Sequence, residues 1–185
     1  MRLRFYLSIT ILLFLQSCNN DEIKDEIETF MSAPVVLALD SMQNVAESTS
    51  TDSIVSDYTL VHYVDSTNCT ECAITHLSEW KYLEEEIKKK RINMSFVFVL
   101  EPPKEYINNT RELLKKQQWE NIYIDASRVL ERNNPHLPKS QLLHTFLIDK
   151  KGNVLLVGSP LRNESLEKLM YKIITKGPSS ISKGK

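Results

Sequence analysis

The strongest constraint on this chain is the stretch Asp65-Ser66-Thr67-Asn68-Cys69-Thr70-Glu71-Cys72. It lies between an apolar run, Tyr58 to Val64, and a long amphipathic segment, Ala73 to Lys90. A strand that delivers a Cys-x-x-Cys pair to the mouth of a helix has a chemical use. The first N–H groups of a helix lack internal partners and carry the positive end of its dipole. A thiolate placed there is stabilised, its pKa falls, and it becomes a nucleophile near neutral pH. Cys72, one turn along the same face, can reach a mixed disulfide formed at Cys69. The pattern points to thiol–disulfide exchange.

Composition narrows the compartment. Met1-Arg2-Leu3-Arg4 is basic, and Phe5 to Leu15 is an apolar run of signal-peptide length, too short to span a bilayer comfortably. It leads into Leu15-Gln16-Ser17-Cys18, which resembles the lipobox of bacterial lipoproteins. That resemblance implies cleavage before Cys18 and a thioether-linked lipid on it, an anchor that needs no spanning helix. Residues 1–17 then read as a lipoprotein signal peptide and 18–33 as a lipidated tether. An ordinary signal peptide with an incidental cysteine is the competing reading. The chain has three cysteines. With Cys18 lipidated, Cys69 and Cys72 are the remaining pair, exported to where disulfides persist. Closing so short a loop stabilises a fold weakly, so redox use accounts for the pair better than a structural role. The expected location is the bacterial cell envelope, lipid-anchored and either periplasm-facing or surface-exposed. A net charge of −1 and the lack of a basic, aromatic-interleaved patch argue against nucleic acid as a partner.

The remaining pattern alternates strands and helices. Residues 19–30 are polar and acidic, with room for a short helix, and Pro34 to Asp40 reads as an edge strand. Gln43 to Asp57 reads as a loop, and Tyr58 to Val64 as a strand. Ala73 to Lys90 reads as one helix, with Glu84-Glu85-Glu86 facing Lys88-Lys89-Lys90 on its solvated end. Met94 to Leu100 is almost continuously apolar, as in a strand buried on both faces. Lys104 to Trp119 reads as a helix with Tyr106, Leu113 and Leu114 inward. Ile122 to Asp125 is a short strand, and Ser127 to Arg132 a helical turn. Leu142 to Asp149 and Val154 to Gly158 form a hairpin around Gly152, and Asn163 caps a last helix through Ile174. The fold class is α/β: a central mixed sheet with helices on both faces over 34–175, followed by a flexible tail, 176–185.

Three stretches resemble the thioredoxin-like superfamily, in particular the exported, membrane-tethered reductases grouped with TlpA and ResA. They are the strand-Cys69-Thr70-Glu71-Cys72-helix unit, the buried strand Phe96 to Leu100, and Thr145-Phe146-Leu147-Ile148-Asp149-Lys150-Lys151-Gly152-Asn153-Val154. The resemblance implies a three-layer sandwich, Cys69 as the attacking thiol and Cys72 as the resolving thiol. It implies no bound organic cofactor. The implied partners are disulfides or thiols of exported proteins, an unidentified redox partner, and a membrane through the lipid. Asn68, Thr70, Glu71, Leu143 and His144 are the expected near-site residues. Two of them depart from the family pattern. Leu143 stands where a cis-proline usually precedes the hairpin, and a cis bond before a non-proline residue costs about 2.5–4 kcal/mol, so a trans backbone is expected. Glu71 replaces the usual proline, and its carboxylate should oppose the Cys69 thiolate and tilt the pair towards a reductant or a slow reagent.

Other readings remain. A thioredoxin-like binding or scaffold module with inactive cysteines accounts for the altered motif. A copper- or zinc-binding chaperone could draw on Cys69, Cys72, His76 and His144, but three ligands on one helix make poor tetrahedral geometry, so no metal site is assigned. Haem attachment is excluded, because Ala73 follows Cys72 where that motif needs His.

Overall fold

The extended segments of the chain assemble into a six-stranded sheet. The structure is a computed structural model that describes residues 21–46, 56–117 and 119–178. The strands are β1 (Gln43–Asn44), β2 (Tyr58–Val64), β3 (Met94–Leu100), β4 (Ile122–Ile124), β5 (Thr145–Asp149) and β6 (Val154–Val157). Their order across the sheet is β1-β4-β3-β2-β5-β6. β2, β3 and β4 run parallel, while β5 is antiparallel to β2 and β6 to β5. The strand leading to the cysteines is therefore central, paired along its whole length with β3.

Helices cover both faces. On one side lie α2 (Thr70–His76), α3 (Glu79–Lys89), α4 (Ile107–Lys115) and α6 (Glu164–Lys176), packed through Ile74, Trp80, Ile87, Leu114 and Met170 on Leu60, Phe96, Phe98 and Leu147. On the other lie α1 (residues 21–31) and α5 (Val129–Asn133), which contribute Phe30 and Leu130 to a core with Val61, Tyr63, Val97 and Phe146. The successive parallel crossovers from β2 to β3 to β4 place their helices on the same face, as a uniform crossover hand requires. This is the three-layer, thioredoxin-like arrangement, with the cysteine pair where the central strand meets its helix.

Several local expectations change. The segment from Ala73 to Lys90 is two helices. Leu77 N–H bonds the Ile74 carbonyl and Trp80 N–H the Leu77 carbonyl, both three residues back, and Thr75 and Ser78 hydroxyls donate to main-chain carbonyls of Glu71 and Thr75. Such competing side-chain bonds tighten and turn a helix. Pro34 to Asp40 does not pair as a strand. Asn134 serves instead, accepting from Val36 N at 2.8 Å and donating to Val36 O at 2.9 Å, so one side-chain amide satisfies the backbone that a neighbouring strand would. Within the stretch expected to be a loop, Gln43 and Asn44 pair with β4. Residues 18–33 were expected as a tether, and α1 within them packs on the domain: Phe30 is fully buried, edge-on to Phe146 at 4.9 Å. Tyr106, expected inward, is 54% exposed, because Lys104–Tyr106 forms a 3-10 turn before α4 begins. The turn of the β5–β6 hairpin follows expectation, although β5 begins at Thr145 and not at Leu142. Asp149 accepts from Lys151 N and Asn153 N, and Gly152 takes φ 84° beside Val35, where a Cβ would lie 2.4 Å from the Val35 carbonyl oxygen. The signal-peptide and lipidation expectations, Cys18 included, fall outside the described residues, as do residues 179–185 of the tail.

Candidate active site

Cys69 and Cys72 form a disulfide, with Cα atoms 5.3 Å apart. Cys69 has extended backbone and caps α2: its Sγ accepts from Cys72 N–H at 3.3 Å, and its carbonyl accepts from Ala73 N–H at 3.0 Å. Both cysteines are exposed. The main-chain donor expected from a helix start is therefore aimed at the Cys69 sulfur.

The loop before Cys69 is held by one carboxylate. Asp65 Oδ1 accepts from Thr67 N at 2.8 Å, Thr67 Oγ1 at 2.6 Å and Asn68 Nδ2 at 3.3 Å, and the Asp65 carbonyl accepts from Asn68 N–H at 3.1 Å. Asx-type turns of this kind are what an aspartate at the end of a strand provides.

A cleft of about 400 Å³ opens beside the disulfide, lined by Cys69, Cys72, His62, Trp80, Leu142 and Leu161 among others. Its far wall is charged: His76 Nδ1 lies 2.5 Å from Glu79 Oε1, and Arg162 Nη2 donates to Glu79 Oε2 at 3.3 Å. Hydrogen bonds from His76 and then Arg162 hold the Glu79 carboxyl below its usual range. A second hollow of about 290 Å³ lies across Cys69, between Thr70, Pro103 and Tyr106.

The expected near-site residues are placed unevenly. Asn68 borders both hollows, and Thr70 is buried under the second. Glu71 is exposed and its Oε1 accepts from Asn109 of α4 at 2.9 Å, so its charge is shared with an amide next to the cysteines. Leu143 is 6% exposed and packs into the core with Val61 and Phe146, away from the cleft. Its neighbour Leu142, 78% exposed, takes the cleft position. No cis peptide bond occurs among the described residues, and Gln141–Leu143 form a 3-10 turn at the position where the family pattern has a proline. His144 is buried beneath the loop and faces Asp65 and Pro138. His76 turns to Glu79 instead of the cysteines, and among the described residues no group of three or more His, Cys, Asp or Glu gathers to hold a metal ion.

His62 was not anticipated. It sits on β2 beneath Trp80, with ring centroids 5.3 Å apart, and its Nδ1 is 2.8 Å from Thr145 Oγ1. Burial, then the charge of His144, brings its pKa down to about 4. Its signal was present in the sequence, since period two puts His62 on the same strand face as Leu60 and Val64. Arg162 had no such signal: it reaches Glu79 from 83 positions away.

No family model matches the chain, and no curated protein matches it. Among solved structures it is similar to a proposed thiol:disulfide interchange protein DsbE of Chlorobium tepidum, at 17% identity and TM-score 0.48, over 65% of this chain and 82% of the other. It is also similar to a thioredoxin-like protein of Bacteroides caccae, at 20% identity and TM-score 0.41, over 63% of this chain and 40% of the other. The fold assignment rests on the strand order and the position of the cysteines, not on these likenesses. The class defined so far is a thioredoxin-like α/β domain with a Cys69–Cys72 disulfide. No described helix is long and apolar enough to cross a membrane.

Proposed function

We propose that the protein is a membrane-anchored thiol–disulfide oxidoreductase of the bacterial cell envelope, acting on disulfides of exported proteins. The observation that carries this reading is an exposed disulfide whose first sulfur receives a helix-start N–H and opens onto a cleft with an apolar wall. In the reduced protein the Cys69 thiolate attacks one sulfur of a substrate disulfide. The substrate S–S bond breaks, one substrate sulfur leaves as a thiolate, and Cys69 is joined to the other. Cys72 then loses its proton and attacks Cys69, the mixed disulfide breaks, and the second substrate thiolate leaves. Two electrons have passed to the substrate, and the Cys69–Cys72 bond is restored. A partner dithiol reduces it for the next turn. Lipid on Cys18 tethers the domain, and no cofactor takes part.

Cys72→Ser should trap exported proteins on Cys69 as mixed disulfides, seen as reducible adducts on a non-reducing gel. Absence of adducts, together with no disulfide reduction driven by a dithiol, would remove the enzyme. The inactive scaffold reading would then stand, and it draws support from the 3-10 turn at Gln141–Leu143 in place of a proline. Loss of detergent-phase partitioning in Cys18→Ala tests the anchor.

A further inference from the structure

We infer that His144 is a positioning residue for Cys69, holding the pre-cysteine loop through an ion pair between its protonated ring at Nδ1 and the Asp65 carboxylate. The tautomer follows from the partners. His144 Nε2 lies 2.8 Å from the Pro138 carbonyl oxygen, and a carbonyl only accepts, so Nε2 carries a hydrogen. In a neutral ring Nδ1 would then be a bare lone pair. Yet Nδ1 makes no hydrogen bond and lies 3.4 Å from Asp65 Oδ2, with the His144 residue 4% exposed. A lone pair facing an ionised carboxylate is repulsive, and in so buried a place the repulsion is weakly screened. One proton between the two groups converts repulsion into a charge-assisted contact.

The contact matters because of what Asp65 does with its other oxygen. Oδ1 organises Thr67 and Asn68, the two residues before Cys69. The same turn that carries His144 grips the loop a second time, as Gln141 Nε2 donates to Thr67 Oγ1. Tyr63 N–H bonds the His144 carbonyl at 2.9 Å, tying the turn to β2. The turn before β5 thus clamps the loop before α2 at two points, one of them dependent on a proton.

The other ionisable groups around His144 are accounted for. The ring of Tyr63 of β2 lies tilted against it at 4.9 Å, but its hydroxyl donates to Glu101 after β3, and burial and that bond push its phenol well above the ordinary range. Glu101 is paired with Arg128 at 3.1 Å. From α1, Glu26 accepts from Ser140 N–H. His62, on the opposite sheet face, bonds Thr145. That leaves Asp65 as the partner of Nδ1.

The inference assumes that Cys69 is the attacking thiol, but its test needs no substrate. In reduced protein carrying Cys72→Ser, the rate of Cys69 alkylation by iodoacetamide is followed from pH 5 to 9. The rate is expected to depend on the His144–Asp65 contact as well as on the Cys69 thiol. Adding His144→Gln keeps a donor for Pro138 but removes the charge. It should alkylate Cys69 at least threefold more slowly at pH 6 and change the shape of the pH profile. Asp65→Asn, which keeps an acceptor for Thr67, should do the same and serves if His144→Gln does not fold. Nitrogen-15 spectra should show the Nε2–H form of His144 when neutral. Unchanged pH profiles in both variants, or an Nδ1–H neutral form, would overturn the inference. A protein that reduces no disulfide yet shows the slower Cys69 alkylation in both variants defeats the redox function and leaves this clamp standing.

Discussion

The two faces of the sheet are built differently. Beneath α2, α3, α4 and α6 the filling is mostly hydrocarbon and aromatic: Phe98 sits 1% exposed with Trp119 at 4.7 Å and Trp80 at 6.0 Å. The opposite face buries Tyr63, Glu101, Asp125, Asn134 and His144 among its Val and Phe residues. Apolar contact has no preferred direction, so the first face can repack around a change of shape. Hydrogen bonds are directional, and a buried polar group without its partner is costly, so the second face fixes loops in place. One face supplies stability. The other decides where the loop before Cys69 sits.

Substitutions at four positions test that contrast. Phe98→Ala should cost about 3–5 kcal/mol and lower the melting temperature by roughly 10 °C or more, whereas Phe98→Leu should cost less than half as much. If Leu were as damaging as Ala, the apolar face would be as shape-specific as the polar one. On the other face, Asp125 is 1% exposed and accepts from Val129 N and Leu130 N, each at 2.8 Å. Asp125→Ala strands both N–H groups and should cost about 2–4 kcal/mol, seen in urea unfolding together with faster amide exchange over 126–134.

His62 is the polar residue set into the apolar face, and it gives that face a pH dependence. Burial and then His144 hold its pKa near 4, against 6.5 for the free side chain. Between those values the unfolded chain binds a proton that the folded chain refuses. Stability therefore falls as pH drops through that window, by at most about 3 kcal/mol. The stability difference between the parent protein and His62→Asn, measured by urea unfolding at pH 7 and 4.5, should shift in favour of the variant at the lower pH. An equal difference at both values would mean that His62 is solvated. The smallest effect belongs to the exposed start of α6. Asn163 Oδ1 accepts from Ser165 N and Leu166 N, so Asn163→Ala should cost about 1 kcal/mol in thermal unfolding and leave Cys69 alkylation unchanged.

Much of the fold was legible because regular elements write their period into the chain. The unbroken apolar run Phe96 to Leu100 placed β3 between two cores, and Asp149 with Gly152 marked the hairpin turn. The long helix after the cysteines was misjudged because its break comes from Thr75 and Ser78 hydroxyls rather than a proline or glycine. Pro34 to Asp40 has the composition of a strand, but the amide of Asn134 satisfies it from 98 positions away. At the site, the cysteines and their helix could be read directly. Leu142 and Leu143 could not be told apart, because a 3-10 turn has no sustained period to show which neighbour faces inward.

By itself the sequence determined that a central strand hands a Cys-x-x-Cys pair to a helix inside an α/β sandwich, since strand and helix patterns are local. Only the tertiary structure decided how those cysteines are held. It set Asn109 against Glu71, put Leu142 on the cleft and buried His144 against Asp65. These are directional contacts between side chains distant in sequence, and no local periodicity encodes them.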